Sequence, residues 1–124
     1  MDEPFKKQTI SAGKNTSVIL FCELKEEHLR HISQLEDSLK AQIKLGHSRI
    51  LMNFKDMLSL RSEVLTVLLR LLDVTYEYEG QLKFSQLSPE VFRQLQSLRL
   101  DKLFDIYSSD AKAIQAFVTD SSLF

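Results

Sequence analysis

Few side chains in this sequence could do covalent or metal chemistry, and their spacing argues against most of it. His28 and His31 are three apart and would share a helix face, with Glu27 four before His31. Two imidazoles and one surface acid could touch a metal, but protein zinc sites gather three or four ligands. A solvated helix face is the better reading. Cys22 is the single cysteine, so no internal disulfide can form, and the zinc-ligand spacings are absent. Within its apolar run it reads as a small buried hydrophobe. The three glycines are scattered at turns, so no phosphate-cradling loop exists. Val64 stands where a nucleophile elbow built on Ser62 needs a small residue. Acid pairs such as Glu36-Asp37 suit exposed helix faces. The chain reads as a non-enzyme with no metal and no cofactor.

Ser62 is the exception, because it stands on a strand-to-helix turn. Two roles fit it. As an N-cap its hydroxyl would accept a first-turn N–H, a bond whose loss costs about 1 kcal/mol. As a phosphate acceptor it would gain about -1.5 to -2 charges. A helix N-terminus tolerates an anion, since the dipole and the free N–H groups favour it. Phosphorylation would then leave the fold intact and alter only the surface. Leu60, Leu65 and Leu69 would form an apolar docking face beside it. A dianion buried there without a partner can cost several kcal/mol, enough to dismantle a complex.

The elements that must position Ser62 are legible from periodicity. Ile50 to Phe54 is an apolar run bounded by charges, as in a strand buried on both faces. A helix from Ser62 to about Tyr78 follows, and Gly80 is placed to stop it. Glu63, Thr66, Arg70, Asp73 and Glu77 fall on one narrow polar arc. The apolar remainder spans roughly 220°, where a surface helix needs about 100°. The surplus must be covered by neighbouring helices or by a partner.

Upstream, Phe5 to Ile10 is a weak strand, Ser11 to Thr16 has turn chemistry, and Ser17 to Glu23 is a strongly apolar strand, together an N-terminal hairpin. Glu26 to Leu45 has apolar residues at steps of three and four, one helix closed by Gly46. Downstream, Leu82 to Phe84 is a short strand. Ser88-Pro89-Glu90 opens a helix to about Leu98. Phe104 to Tyr107 alternates again, and Ser108 or Ser109 caps a last helix, beyond which the tail from Thr119 is polar until Phe124. This alternation predicts an α/β fold with a mostly parallel sheet of about five strands, the N-terminal hairpin strand antiparallel, and about four helices.

The 124 residues suit one domain spanning residues 1–124, large enough for a core without disulfides or metal. A net charge of -1 without a Lys/Arg block argues against nucleic acid and anionic membrane. No apolar run approaches the ~20 residues of a membrane span and Met1 to Lys7 is polar, so a cytoplasmic location is expected.

With these residues in place the chain resembles the STAS domain family, named for sulfate transporters and anti-sigma factor antagonists. The resemblance runs from about Val18 to Val118. It is closest in Leu87-Ser88-Pro89-Glu90-Val91, Leu100 to Tyr107 and Ser109 to Ile114. The family's Gly-Glu-Leu-Asp loop is here Cys22-Glu23-Leu24-Lys25. Its Asp-Ser-Ser-Gly-Leu-Gly loop is here Arg61-Ser62-Glu63-Val64-Leu65-Thr66. The resemblance implies an anti-sigma factor antagonist that binds an anti-sigma factor, often itself a serine kinase. The kinase phosphorylates the signature serine, which ends binding, and a phosphatase restores it. That serine maps onto Ser62. The docking surface maps onto Leu24 and Lys25, the loop Ser59, Leu60, Arg61, Ser62 and Glu63, and the helix face Leu65, Thr66 and Leu69. Arg61 reverses the charge of the signature acid, and both glycines are lost, at Val64 and Thr66. An alternative is an unswitched STAS subunit of a lipid-transporting ABC system or a sensory scaffold; a homodimer is a further option in either case.

Overall fold

The computed structural model describes residues 5–12 and 15–121, with side chains described for 5–10 and 17–119. Of the turn expected over Ser11 to Thr16, residues 13–14 lie outside these residues while Ser11-Ala12 and Asn15-Thr16 are paired strand, so the turn is shorter than expected; the tail beyond Ser121 also lies outside. Five strands form one sheet: β1 (Lys6–Ala12), β2 (Asn15–Glu23), β3 (Arg49–Asn53), β4 (Gln81–Ser85) and β5 (Asp105–Tyr107), in the order β1-β2-β3-β4-β5. β1 runs antiparallel to β2 and all other pairings are parallel, as the alternating pattern predicts. The helices are α1 (Glu26–Arg30), α2 (Ile32–Lys44), α3 (Ser62–Glu77), α4 (Pro89–Ser97) and α5 (Asp110–Ser121). Four are of ordinary length and α1 is little more than one turn.

The period of two in the strands sorts the core onto two faces. Leu20, Cys22, Ile50, Met52, Leu82 and Phe84 pack with α2, α3 and α4. On the other face Ile19 and Leu51 meet Ala113 and Phe117 of α5. The β3 register sets Met52 between Cys22 and Phe84, which makes a continuous apolar row across three strands.

Three local expectations are corrected. The helix expected from Glu26 to Leu45 breaks at His31, whose backbone is φ -129°, ψ 44°. Leu29 and Leu35, both buried, are six residues apart; an unbroken helix would hold them about 120° apart in azimuth. The break turns both towards the core. The second correction concerns Ser62, which is the first residue of α3 and not its cap. Arg61 holds the N-cap position, with no side-chain hydrogen bond there.

The third concerns Gly80. The left-handed residue ending α3 is Glu79 (φ 56°), with Glu79 N–H donating to the Tyr76 carbonyl and Gly80 N–H to the Thr75 carbonyl. Gly80 is needed for another reason: a Cβ there would lie 2.1 Å from the Ser48 carbonyl oxygen. Gly46 does take the expected role after α2, at φ 99°. The Ser88 cap also forms, its hydroxyl accepting the Val91 N–H at 3.2 Å with Pro89 at the first helical position. At the last helix it is Ser109 whose hydroxyl accepts from Lys112 N–H.

The wide apolar arc of α3 is covered mostly by the chain itself. Val64, Val67, Leu68, Leu71 and Leu72 are buried against the sheet and α2, and Leu65 and Leu69 are half-buried. A charged clamp closes the α2–α3 seam. Arg70 donates through Nε and Nη2 to the two oxygens of Glu36, at 2.6 and 2.8 Å, and Lys40 lies 3.1 Å from the same carboxylate. Only Tyr76 and Tyr78, at the far end of α3, remain exposed from that arc.

Candidate functional site

The carboxyl ends of parallel strands are where loops of an α/β sheet can gather around a ligand or partner. Here that end carries the loop between β3 and α3. It leaves Asn53 through Phe54, whose N–H donates to the Ser85 carbonyl, and turns at Met57. Met57 and Leu60 are buried and anchor it. Gln94 of α4 holds it from the side: its Oε1 accepts the Leu60 N–H at 2.8 Å and its Nε2 donates to the Leu60 carbonyl at 3.0 Å. Between and beyond the anchors Leu58, Ser59, Arg61, Ser62 and Glu63 face solvent, Leu58 at 77% exposure.

Ser62 is thus an exposed hydroxyl in the first turn of a 16-residue helix. The Arg61 carbonyl takes the N–H groups of Val64 and Leu65, and the Ser62 carbonyl accepts the Thr66 hydroxyl at 3.0 Å. Arg61 and Glu63 straddle Ser62 as an ion pair at 3.5 Å, both largely exposed. A pair so open to water is worth little energetically.

The residues expected to face a partner divide into two sets. Lys25, Ser59, Arg61, Ser62, Glu63 and Thr66 are exposed, and Leu65 and Leu69 are half-buried. Leu24 and Leu60, expected on the docking surface, are core residues at 0% and 4% exposure. The cause is the same for both: each is the apolar residue that ties its loop down between polar neighbours. The apolar element a partner could grip is Leu58, which the helical periodicity could not flag because it lies outside any periodic segment.

A polar hub beneath these loops was not legible in the sequence either. The Asn53 carbonyl accepts the Leu24 N–H at 3.0 Å, and its side-chain oxygen accepts the Lys55 N–H at 2.9 Å. Its side-chain amide donates to both oxygens of Asp110, at 2.9 and 3.1 Å. The Ser85 hydroxyl donates to Asp110 as well. Asn53 and Asp110 are 57 positions apart in the chain, and although Asp110 lies in the Ser109 to Ile114 stretch, nothing local there points to Asn53.

Other reactive groups are occupied elsewhere. His28 accepts the Lys25 N–H at Nδ1 and helps open α1. Among the described residues no group of three or more His, Cys, Asp or Glu is placed to hold a metal. Burial, and then Glu23, push the Cys22 thiol up to about 12, so it is no nucleophile near neutral pH. No helix among the described residues is long and apolar enough to cross a membrane. An open cleft lies beside the site, lined by Arg30, His31 and Ile32 at the α1–α2 break and by Arg61 and Glu63.

No protein-family model matches the sequence, and no curated protein matches it significantly. Solved structures do. TM1081 of Thermotoga maritima superimposes with a TM-score of 0.70 at 21% identity, covering 90% of this chain and 92% of that one. An anti-sigma factor antagonist (STAS) domain protein of Planctomyces limnophilus gives 0.66 at 17% identity, over 90% and 95%. The anti-sigma factor antagonist SpoIIAA of Bacillus, in its unphosphorylated form, gives 0.65 at 18% identity, over 91% and 95%. Its phosphorylated form matches too. The fold expected from the sequence motifs is therefore the one found: this chain has the fold of the STAS domains of anti-sigma factor antagonists.

Proposed function

We propose that the chain is a cytoplasmic anti-sigma factor antagonist whose partner, an anti-sigma factor with serine-kinase activity, docks on the loop from Leu58 to Glu63 and the adjoining α3 face. The observation that carries the reading is the Ser62 hydroxyl. It is exposed in the first turn of α3, between exposed Leu58 and half-buried Leu65 and Leu69. Support comes also from the fold likeness to SpoIIAA, a protein solved with and without its phosphate. Phosphorylation of Ser62 sets a dianion at a helix N-terminus, where the fold tolerates it, and within an apolar contact, where a complex does not. A phosphatase reverses the switch.

The test uses the purified chain with the anti-sigma kinases encoded in its own genome. Calorimetry is expected to show binding by the wild type and Ser62→Ala, and a loss of about a hundredfold or more for Ser62→Asp. Mass spectrometry after incubation with kinase and Mg-ATP is expected to place the phosphate on Ser62. Binding unchanged by Ser62→Asp, with the fold intact by circular dichroism, removes the switch.

Two features of the loop favour a second reading. Arg61 and Glu63 pair across Ser62, and Val64 is fully buried where the family pattern has glycine. A loop so altered fits an unswitched subunit of a transporter or scaffold, for which binding to a transporter ATPase and indifference to Ser62→Asp are expected.

A further inference from the structure

Asp110, at the head of α5, lies on the opposite side of the sheet from α3 and belongs to no loop that would meet the partner. Even so, its carboxylate holds the two buried polar side chains at the strand ends beneath the partner-facing loops. Asn53 is 1% and Ser85 0% exposed, and the polar side chains of both turn to Asp110. Asn53 in turn accepts the Leu24 N–H with its backbone carbonyl, at the entry to the β2–α1 loop, and the Lys55 N–H with its side-chain oxygen, at the entry to the β3–α3 loop. Only the second bond depends directly on how Asp110 orients the side chain. Ser85 fixes Phe54 N–H with its carbonyl. With its nitrogen bonded to Asp110, the side-chain amide of Asn53 is oriented so that its oxygen meets the Lys55 N–H.

We infer that Asp110 is a positioning residue for the docking site: through Asn53 and Ser85 it sets the loops carrying Lys25 and Ser62 in register with each other, and so couples the seating of α5 to partner binding. This rests on the docking surface proposed above. Taking the acceptor away leaves two buried donors without partners, and buried donors do not stay so. Asn53 must rotate or the strand ends must admit water, and either move releases Lys55 N–H and slackens the loop from its start.

Chemical exchange of the pair provides the test. Asp110→Asn keeps one oxygen for Asn53 and Ser85 but replaces the other, which accepts from the Asn53 amide at 3.1 Å, with a nitrogen that faces the Asn53 nitrogen donor to donor. In the double variant Asn53→Asp with Asp110→Asn the donors and acceptors balance again. The carboxylate now at position 53 would accept from Lys55 N–H and from the amide now at position 110, and the oxygen of that amide would accept from Ser85. Amide hydrogen exchange by mass spectrometry is read over residues 24–26 and 54–61. Asp110→Asn is expected to raise exchange there about tenfold, leaving the α2–α3 seam unchanged, and the double variant to restore it. Affinity for the anti-sigma kinase should fall and recover in parallel. Unchanged exchange in the loops, or a rise spread evenly over the whole chain, overturns the coupling. The same holds if the double variant fails to rescue while folding normally. If no anti-sigma kinase binds the wild type, yet loop exchange rises and recovers as described, the coupling stands and the proposed partner is wrong.

Discussion

Ser62 and Ser88 stand one residue apart in helix position, and that single step decides what each hydroxyl does. Ser88 precedes its helix and accepts the Val91 N–H, so Ser88→Ala is expected to cost about 1 kcal/mol in urea unfolding. Ser62 begins its helix and caps nothing, so Ser62→Ala is expected to stay within about 0.5 kcal/mol. A loss near 1 kcal/mol for Ser62→Ala would show that its hydroxyl is a cap after all. The sequence made Ser88 legible because proline follows it, and proline is best accommodated in the first helical turn. Nothing comparable follows Ser62, and a boundary shift of one residue is the finest scale at which local pattern fails. Gly80 makes a similar point. Its need for glycine comes from Ser48, 32 positions earlier, and Gly80→Ala is expected to cost on the order of 1–3 kcal/mol by forcing the two turns apart.

Helix ends and helix seams carry the next set of consequences. Glu79 ends α3 and Arg99 follows α4 in left-handed backbone, at φ 56° and 59°. A side chain with a Cβ is strained there, so Glu79→Gly is expected to raise stability by roughly 0.5–1 kcal/mol, visible as a higher Tm, despite glycine's looser unfolded state. The seam between α2 and α3 depends on charge. The Arg70 guanidinium, helped by Lys40, holds the Glu36 carboxyl below its ordinary value against the opposing effect of burial. A carboxylate lowered in the folded state stabilises fully above its unfolded pKa of about 4.3 and loses that contribution as pH falls through the lowered value. Tm measured between pH 6 and pH 2.5 is therefore expected to fall more steeply for the wild type than for Glu36→Gln. Parallel curves would mean that the clamp contributes nothing to the acid limb. The clamp was hidden in the sequence because Glu36 looked like a solvated acid, and only the crossing of two helices brings Arg70 to it. The break at His31 was hidden for the same kind of reason, since the stripe Leu29, Ile32, Leu35 reads as helical until the core demands both leucines at once.

At the scale of the molecule, the order of elements and the sheet were legible, because alternation of apolar strands with amphipathic helices leaves few topologies. The unequal thickness of the two layers was not. One face of the sheet packs α2, α3 and α4 around a cluster that includes Phe54, Phe84 and Phe104, with ring centroids 4.7 and 4.5 Å apart along that series. Among the described residues the other face has α5 alone, held by Ala113 and Phe117 against Ile19 and Leu51, with Lys83 buried beneath and its ammonium 5.1 Å from the Phe117 ring centroid. A layer of one helix buries less apolar surface than a layer of three, so it should open first. Native-state hydrogen exchange is expected to show the amides of Ala113 to Phe117 opening at a free energy lower than those of β3 and α3 by about 2 kcal/mol or more. Phe117→Ala should widen that gap, since a buried phenylalanine truncated to alanine costs about 3–5 kcal/mol and the loss falls on the thinner layer. Equal protection in α5 and α3 would mean that the two layers unfold as one unit. In that case α5 could not unseat by itself, and Asp110 would have no separate motion to pass to the loops around Ser62.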